Sequence, residues 1–209
     1  TRYLPDGSPD TGFAAAGLLE TGIEYTQESY SEKIMALQPD GKILVAGRIK
    51  IGTINTLAAA RFLPDGSADS GFGDNGVVAK TISLPNPGNS DKAQAVLLQP
   101  DGKIIAAGTS NGISSGADFT LVRFLTDGSD DATFGNGGVA SVAVTPSFDY
   151  VKTALLPPHG KILVAGVASQ PFGHDRAMAR FNADGTLDTG FGNNGIVRDV
   201  VSPSTEPVY

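Results

Sequence analysis

Four consecutive positions, Ile43-Leu44-Val45-Ala46, are apolar without alternation, and they follow the polar tetrad Pro39-Asp40-Gly41-Lys42. A short unbroken apolar run bounded by a turn reads as a strand buried on both faces. The pattern returns as Leu98-Gln99-Pro100-Asp101-Gly102-Lys103-Ile104-Ile105-Ala106-Ala107-Gly108, and again as Leu156-Pro157-Pro158-His159-Gly160-Lys161-Ile162-Leu163-Val164-Ala165-Gly166. Each copy predicts a strand a, a tight turn and a strand b, because Asp-Gly supplies the positive φ that such turns require. A second pattern follows. Residues 57–63 predict strand c, Pro64-Asp65-Gly66-Ser67 a turn, Asn75-Gly76 another, and Val77-Val78 the start of strand d. Helix signals are poor, since Gly or Pro interrupts nearly every window.

The turn after strand c is present four times, as Arg2-Tyr3-Leu4-Pro5-Asp6-Gly7-Ser8, Arg61-Phe62-Leu63-Pro64-Asp65-Gly66-Ser67, Arg123-Phe124-Leu125-Thr126-Asp127-Gly128-Ser129 and Arg180-Phe181-Asn182-Ala183-Asp184-Gly185-Thr186. A fixed period of about sixty residues marks stacked repeats. Four strands per repeat match the blade of a β-propeller. The expected fold is therefore all-β, a single repeat domain over residues 1–209, with about three and a half four-stranded blades. The expected divisions are a partial blade at 1–30 and blades at 31–91, 92–150 and 151–209. Such an arc is either open or part of a larger ring. Its bare flanks call for the remaining blades of a longer chain, or for further subunits, since apolar flanks of that kind do not stay in water.

Seven of the ten Phe occupy two repeat positions, Phe62, Phe124 and Phe181 on strand c and Phe13, Phe72, Phe134 and Phe191 before strand d. That periodicity assigns them to the core between blades. Each strand-c Arg is followed eight positions later by an Asp: Asp10, Asp69, Asp131 and Asp188. Across a hairpin the two are near-opposite, which suits a structural clasp better than a ligand site in every blade. Asp65, Ser67 and Asp69 present alternate oxygens as a calcium loop does, but no acidic residue closes the pattern, and Asp-Gly turns explain the same letters.

Composition narrows the functional classes. A formal charge of −7 disfavours a nucleic-acid partner. No apolar run is long enough for a membrane-spanning helix. With no Cys and only His159 and His174, neither a metal site nor a cofactor site is expected. His159 stands where the other a–b turns carry Asp.

What all copies share builds the repeat, so specific function is expected where they differ. The a–b and c–d turns share one face and are uniform. The b–c loops (48–56, 109–118, 167–175) and d–a loops (22–32, 80–92, 142–151) share the other face and vary. Variable loops on a rigid scaffold are the usual place for binding. Arg48, Asn111, Asp118, Tyr150, His174 and Asp175 are the candidate ligand contacts, for a protein or carbohydrate ligand. Glu24, Glu28 and Glu32 form an acidic cluster that suits a solvated loop. Gly108-Thr109-Ser110-Asn111-Gly112 fits the Gly-x-Ser-x-Gly pattern of serine hydrolases, and Ser110 with His174 and Asp175 is the alternative catalytic set, for an esterase. That motif needs a strand-to-helix turn, which this context lacks.

The set Leu37–Gly47, Ala60–Ser67 and Gly71–Val78 resembles the bacterial delta-60 repeat family, and the likeness extends over nearly the whole chain. The resemblance implies a propeller-like fold within large bacterial proteins, often secreted or attached to the cell surface. It implies no activity, so the reading is a non-catalytic interaction module, with the esterase as the alternative. Two places depart from the repeat pattern: Gly12-Phe13-Ala14-Ala15-Ala16-Gly17 lacks the Gly and Asn of the other copies, and Pro158-His159 replaces Pro-Asp.

Overall fold

The computed structural model describes residues 1–23, 34–82, 91–111, 116–170 and 173–200. Strands β1 (Met35–Leu37), β2 (Ile43–Ile51), β3 (Ile54–Phe62) and β4 (Val77–Lys80) form one antiparallel sheet in chain order. The sheets β5 (Lys92–Leu98) to β8 (Val139–Val142), with β6 (Ile104–Asn111) and β7 (Ala117–Phe124) between, and β9 (Asp149–Leu155) to β12 (Ile196–Asp199), with β10 (Ile162–Gln170) and β11 (Gly173–Phe181) between, repeat that order. Residues 1–23 carry the turns of a partial repeat, with bridges Tyr3–Pro9 and Ala15–Leu18. No helix occurs among the described residues. The first strands of neighbouring sheets approach each other, β1 to β5 and β5 to β9, and the fourth strands make no comparable approach, so the first strands lie on the inside of the arc.

Burial follows position in the stack. β6 is buried at every residue but its last and β7 at every residue, because both faces of the middle sheet are covered. One core cluster joins Leu44, Ala46 and Phe72 of the first sheet to Ile104, Val122 and Phe124 of the second. Another joins Phe119, Leu121 and Phe134 of the second to Ile162, Val164 and Phe181 of the third. A third packs Ile23 of the N-terminal part on Val45 and Phe62. Phe62, Phe72, Phe124, Phe134 and Phe181 are thus core between repeats, whereas Phe191 is half-buried.

The outer flanks behave differently. Met35 is 66% exposed, whereas Val96 and Ala154 at the same repeat position are 2% and 0% exposed. On the opposite flank Met178 is 36% exposed and its counterparts Ala59 and Leu121 are fully buried.

The b–c segments correct the sequence reading. They are not long loops. β2 and β3 pair without a break from Ile43–Phe62 to Ile51–Ile54. Polar residues alternating with apolar ones, as in Arg48-Ile49-Lys50-Ile51, are what a half-wet strand carries. Arg48, Asp118, His174 and Asp175 therefore stand on strands, Asn111 ends β6, and Tyr150 lies in β9. The acidic cluster Glu24, Glu28 and Glu32 lies outside the described residues, as do the centre of the second d–a loop and Gly112.

The glycine closing the b-strand run of the second and third sheets, Gly108 and Gly166, has a steric cause. A Cβ on Gly108 would stand 1.9 Å from the Lys92 carbonyl oxygen, and one on Gly166 2.0 Å from that of Tyr150. Register shifts in both sheets at these points press strand a against strand b, as at a β-bulge.

Candidate functional site

One arrangement recurs four times, and among the described residues three of its copies reach the neighbouring repeat. Arg Nε donates to the Asp eight residues on: Arg2 to Asp10 at 2.7 Å, Arg61 to Asp69 at 2.7 Å, Arg123 to Asp131 at 2.8 Å, Arg180 to Asp188 at 2.7 Å. Each guanidinium also lies over the Phe that precedes strand d, 4.3 to 4.5 Å from the ring centroid. The lysine of the a–b turn reaches the same carboxylate, Lys42 to Asp69 at 3.2 Å, Lys103 to Asp131 at 3.1 Å and Lys161 to Asp188 at 3.2 Å.

The free edge of the guanidinium then crosses to the next repeat. Nη1 of Arg2, Arg61 and Arg123 donates to the carbonyls of Pro64, Thr126 and Ala183 at 2.6, 2.5 and 2.5 Å. Beside these bonds the Ala14, Gly73 and Gly135 amides donate to the Asp65, Asp127 and Asp184 carbonyls, each at 2.8 Å. The Asp-Gly turn of one blade is thereby held on the Phe of the blade before it. Its glycine makes this possible: a Cβ on Gly128 would meet Phe72 at 3.0 Å and the Gly73 nitrogen at 2.8 Å. The Arg–Asp pair is therefore more than a hairpin clasp; it is the inner half of a latch between blades.

Electrostatics agree with that geometry. Burial works to raise the Asp131 carboxyl, but hydrogen bonds from Thr133 and Lys103 and the Arg123 charge outweigh it and hold the group well below the usual range. Asp69 is lowered in the same way, burial being offset by Lys42, the Gly71 amide and Arg61. The oxygens weighed for calcium have other partners. Asp65 Oδ1 accepts from the Ser67 hydroxyl at 2.6 Å and amide at 2.8 Å, which lowers its pKa.

The candidate ligand residues fall into separate places. Ser110, Asn111 and Asp118 line a cleft of about 570 Å3, together with Lys80, Asn136 and Ser141. Lys80 reaches Asp130 as an ion pair at the same mouth. Ser110 is 2% exposed, paired with Asp118 across the β6–β7 hairpin. Its hydroxyl is 2.7 Å from that of Thr120, which in turn is 3.3 Å from that of Ser141. His174 and Asp175 belong to β11 of the following sheet and are not part of this lining. Among the described residues the His174 Nδ1 contact is the Ser169 hydroxyl at 3.2 Å, and Asp175 lies 3.0 Å from Arg198 Nε. Phe148, just before β9, and Tyr150 within it stack with centroids 6.3 Å apart. Arg48 stands on β2 of the first sheet. The structure thus gathers three of the candidates and separates the rest.

Sequence reasoning missed the recurring lysines, Lys42, Lys103 and Lys161, although their shared place after Asp-Gly or His-Gly signalled a common role. Thr120 and Ser141 carry no such signal. Asp91 and Asp149 were missed as well. Asp91 directly precedes β5 and Asp149 opens β9, and each accepts an amide from the segment before it, Ile82 to Asp91 at 3.3 Å and Val144 to Asp149 at 2.7 Å.

Comparison with known families gives one match. A family model described as "Domain of unknown function (DUF5122) beta-propeller" matches residues 38–72, 99–134 and 158–191. No curated protein and no solved structure matches the chain.

Proposed function

The chain belongs to the DUF5122 β-propeller family, and from that premise we propose that it is a non-catalytic propeller module for binding a protein or another ligand. The observation that carries this reading is the latch. The polar side chains common to all repeats are occupied within the scaffold: Arg and Asp form the latch, and the turn Ser or Thr caps the Asp of its own turn. The variable residues remain for recognition, and the cleft beside Ser110 and Asn111 is where a ligand is placed in this proposal. Further blades complete the arc, which the bare Met35 and Met178 flanks support. A secreted or surface location, which the delta-60 resemblance implies, belongs to the same proposal.

A panel of activated esters tests it. Purified protein is expected to give no turnover above the background of the Ser110→Ala variant. Turnover that disappears in a folded Ser110→Ala variant would establish the esterase instead.

A further inference from the structure

The turn before strand d contains Asn-Gly in all three sheets, but in the second sheet the pair sits one place earlier. Asn75-Gly76 and Asn194-Gly195 align with Gly137-Gly138, whereas Asn136 aligns with Asp74 and Asn193. The shift places a different backbone nitrogen after the asparagine. That nitrogen matters, because an asparagine side chain is open to attack by the amide that follows it, most of all when glycine leaves the approach unobstructed.

The fold guards this nitrogen in two of the three pairs. The Gly76 amide donates to the Phe72 carbonyl at 2.9 Å, and the Gly195 amide to the Phe191 carbonyl at 2.7 Å. Both glycines are buried, and a Cβ built on them would stand 3.1 Å from the Arg61 carbonyl oxygen and 2.3 Å from Leu187 Cγ. A bonded amide must open before it can ionise, the same step that slows its exchange with water. Asn136 and Gly137 are both exposed. Among the described residues no acceptor takes the Gly137 amide, and a Cβ on Gly137 would meet nothing within 4 Å. The guarded amide of that turn is Gly138, which donates to the Phe134 carbonyl at 2.9 Å and follows a glycine.

We propose that Asn136 is a self-modification site, converted to aspartate and isoaspartate in the folded protein while Asn75 and Asn194 persist. Hydroxide takes the Gly137 amide proton, and the nitrogen bonds to Asn136 Cγ. The Cγ–Nδ2 bond breaks, and ammonia leaves with a proton from water. The product is a five-membered succinimide. Water then opens the ring and returns a proton to the nitrogen. Opening at Cγ gives aspartate; opening at the backbone carbonyl carbon gives isoaspartate. The net change consumes one water and releases one ammonia, with no oxidation or reduction.

The new carboxylate belongs to the cleft. Asn136 lines it with Ser110 and Lys80, and the Lys80 ammonium lies 3.4 Å from the Gly137 carbonyl oxygen. Aspartate suits the turn, since Asp74 at the same repeat position donates its amide to Val77 at 2.8 Å, as Asn136 does to Val139 at 2.7 Å. Isoaspartate does not. It routes the chain through Cβ and turns the Asn136 carbonyl, which accepts from the Val139 amide at 3.3 Å, into part of the free carboxylate. The entry to β8 is then altered.

Ageing the purified chain at mildly alkaline pH tests the site, with peptide mapping by mass spectrometry and separation of the two product isomers. Each Asn-Gly pair is read in its own peptide, including Asn111-Gly112, whose glycine lies outside the described residues. The Asn136 peptide is expected to deamidate about tenfold or more faster than those of Asn75 and Asn194. In urea that unfolds the chain, the three rates are expected to converge. An Asn136 peptide that ages no faster than the other two overturns the proposal. So does a preference for Asn136 that persists undiminished in urea, because it would belong to the neighbouring letters and not to the fold.

Discussion

Arg123 Nη1 lies 2.5 Å from the carbonyl oxygen of Ala183, a residue sixty positions further on. That bond reaches into the next repeat, while Nε of the same guanidinium stays with Asp131 at 2.8 Å in its own. One side chain therefore carries both the hairpin contact and the blade-to-blade contact.

Arg123→Ala is expected to destabilise the protein by about 3 kcal/mol, since among the described residues it leaves the buried Asp131 with Lys103 as its one cationic partner. Arg180→Ala is expected to have a smaller effect, because its side chain is 33% exposed and among the described residues it holds no following turn. Urea unfolding of both variants, at concentrations low enough to keep the protein monomeric, checks the order. Equal losses would show that the inter-blade bond adds nothing.

Gly7 and Gly128 separate backbone strain from docking. Both have φ between +84° and +88°, so Ala at either meets left-handed strain of about 1–2 kcal/mol. At Gly128 the new methyl also collides with Val78 and the Gly73 nitrogen, at 2.6 and 2.8 Å, which adds about 1–3 kcal/mol. Melting temperatures of dilute Gly7→Ala and Gly128→Ala protein are expected to differ accordingly.

Ala14 and Ala16 occupy positive φ, +47° and +53°, where the other repeats carry Gly73 and Asn75 or their equivalents. Ala16→Gly is expected to stabilise the N-terminal repeat by relieving about 1 kcal/mol of strain, the gain in unfolded-chain entropy offsetting part of it. Slower amide exchange at Gly17, whose nitrogen donates to the Phe13 carbonyl, is the readout.

The pattern made much of this legible. Unbroken apolar runs and turn chemistry located the strands, because Asp-Gly and Asn-Gly leave few other backbone options. The Phe positions followed from periodicity. The b–c hairpins were misread because Arg48, Lys50 and Asn55 are polar at positions where the strand edge meets water. The cross-repeat half of the latch was invisible for a different reason. Its acceptors are backbone carbonyls at Pro64, Thr126 and Ala183, and a carbonyl leaves no letter in the sequence. The candidate site was least legible: Ser110 meets Thr120 and Ser141 only through hairpin register.

Acid is expected to loosen the latches. Asp69 and Asp131 have pKa values lowered by folding, so their contribution is complete above the unfolded value of about 3.9 and is lost as pH falls below it. Unfolding free energy should decline from about pH 4 downward, and Asp131→Asn should show a shallower decline. Stability independent of pH between about 4 and 2 would contradict the electrostatic account.

Site-resolved amide exchange on dilute, monomeric protein tests the central claim, that these repeats are blades latched through the Asp-Gly turn of the next. Gly73 and Gly135 donate across the blade boundary to Asp127 and Asp184, while Gly192, also preceded by Phe, has no such acceptor among the described residues. Slow exchange at Gly73 and Gly135 with fast exchange at Gly192 is the predicted result. Equal exchange at all three would contradict it.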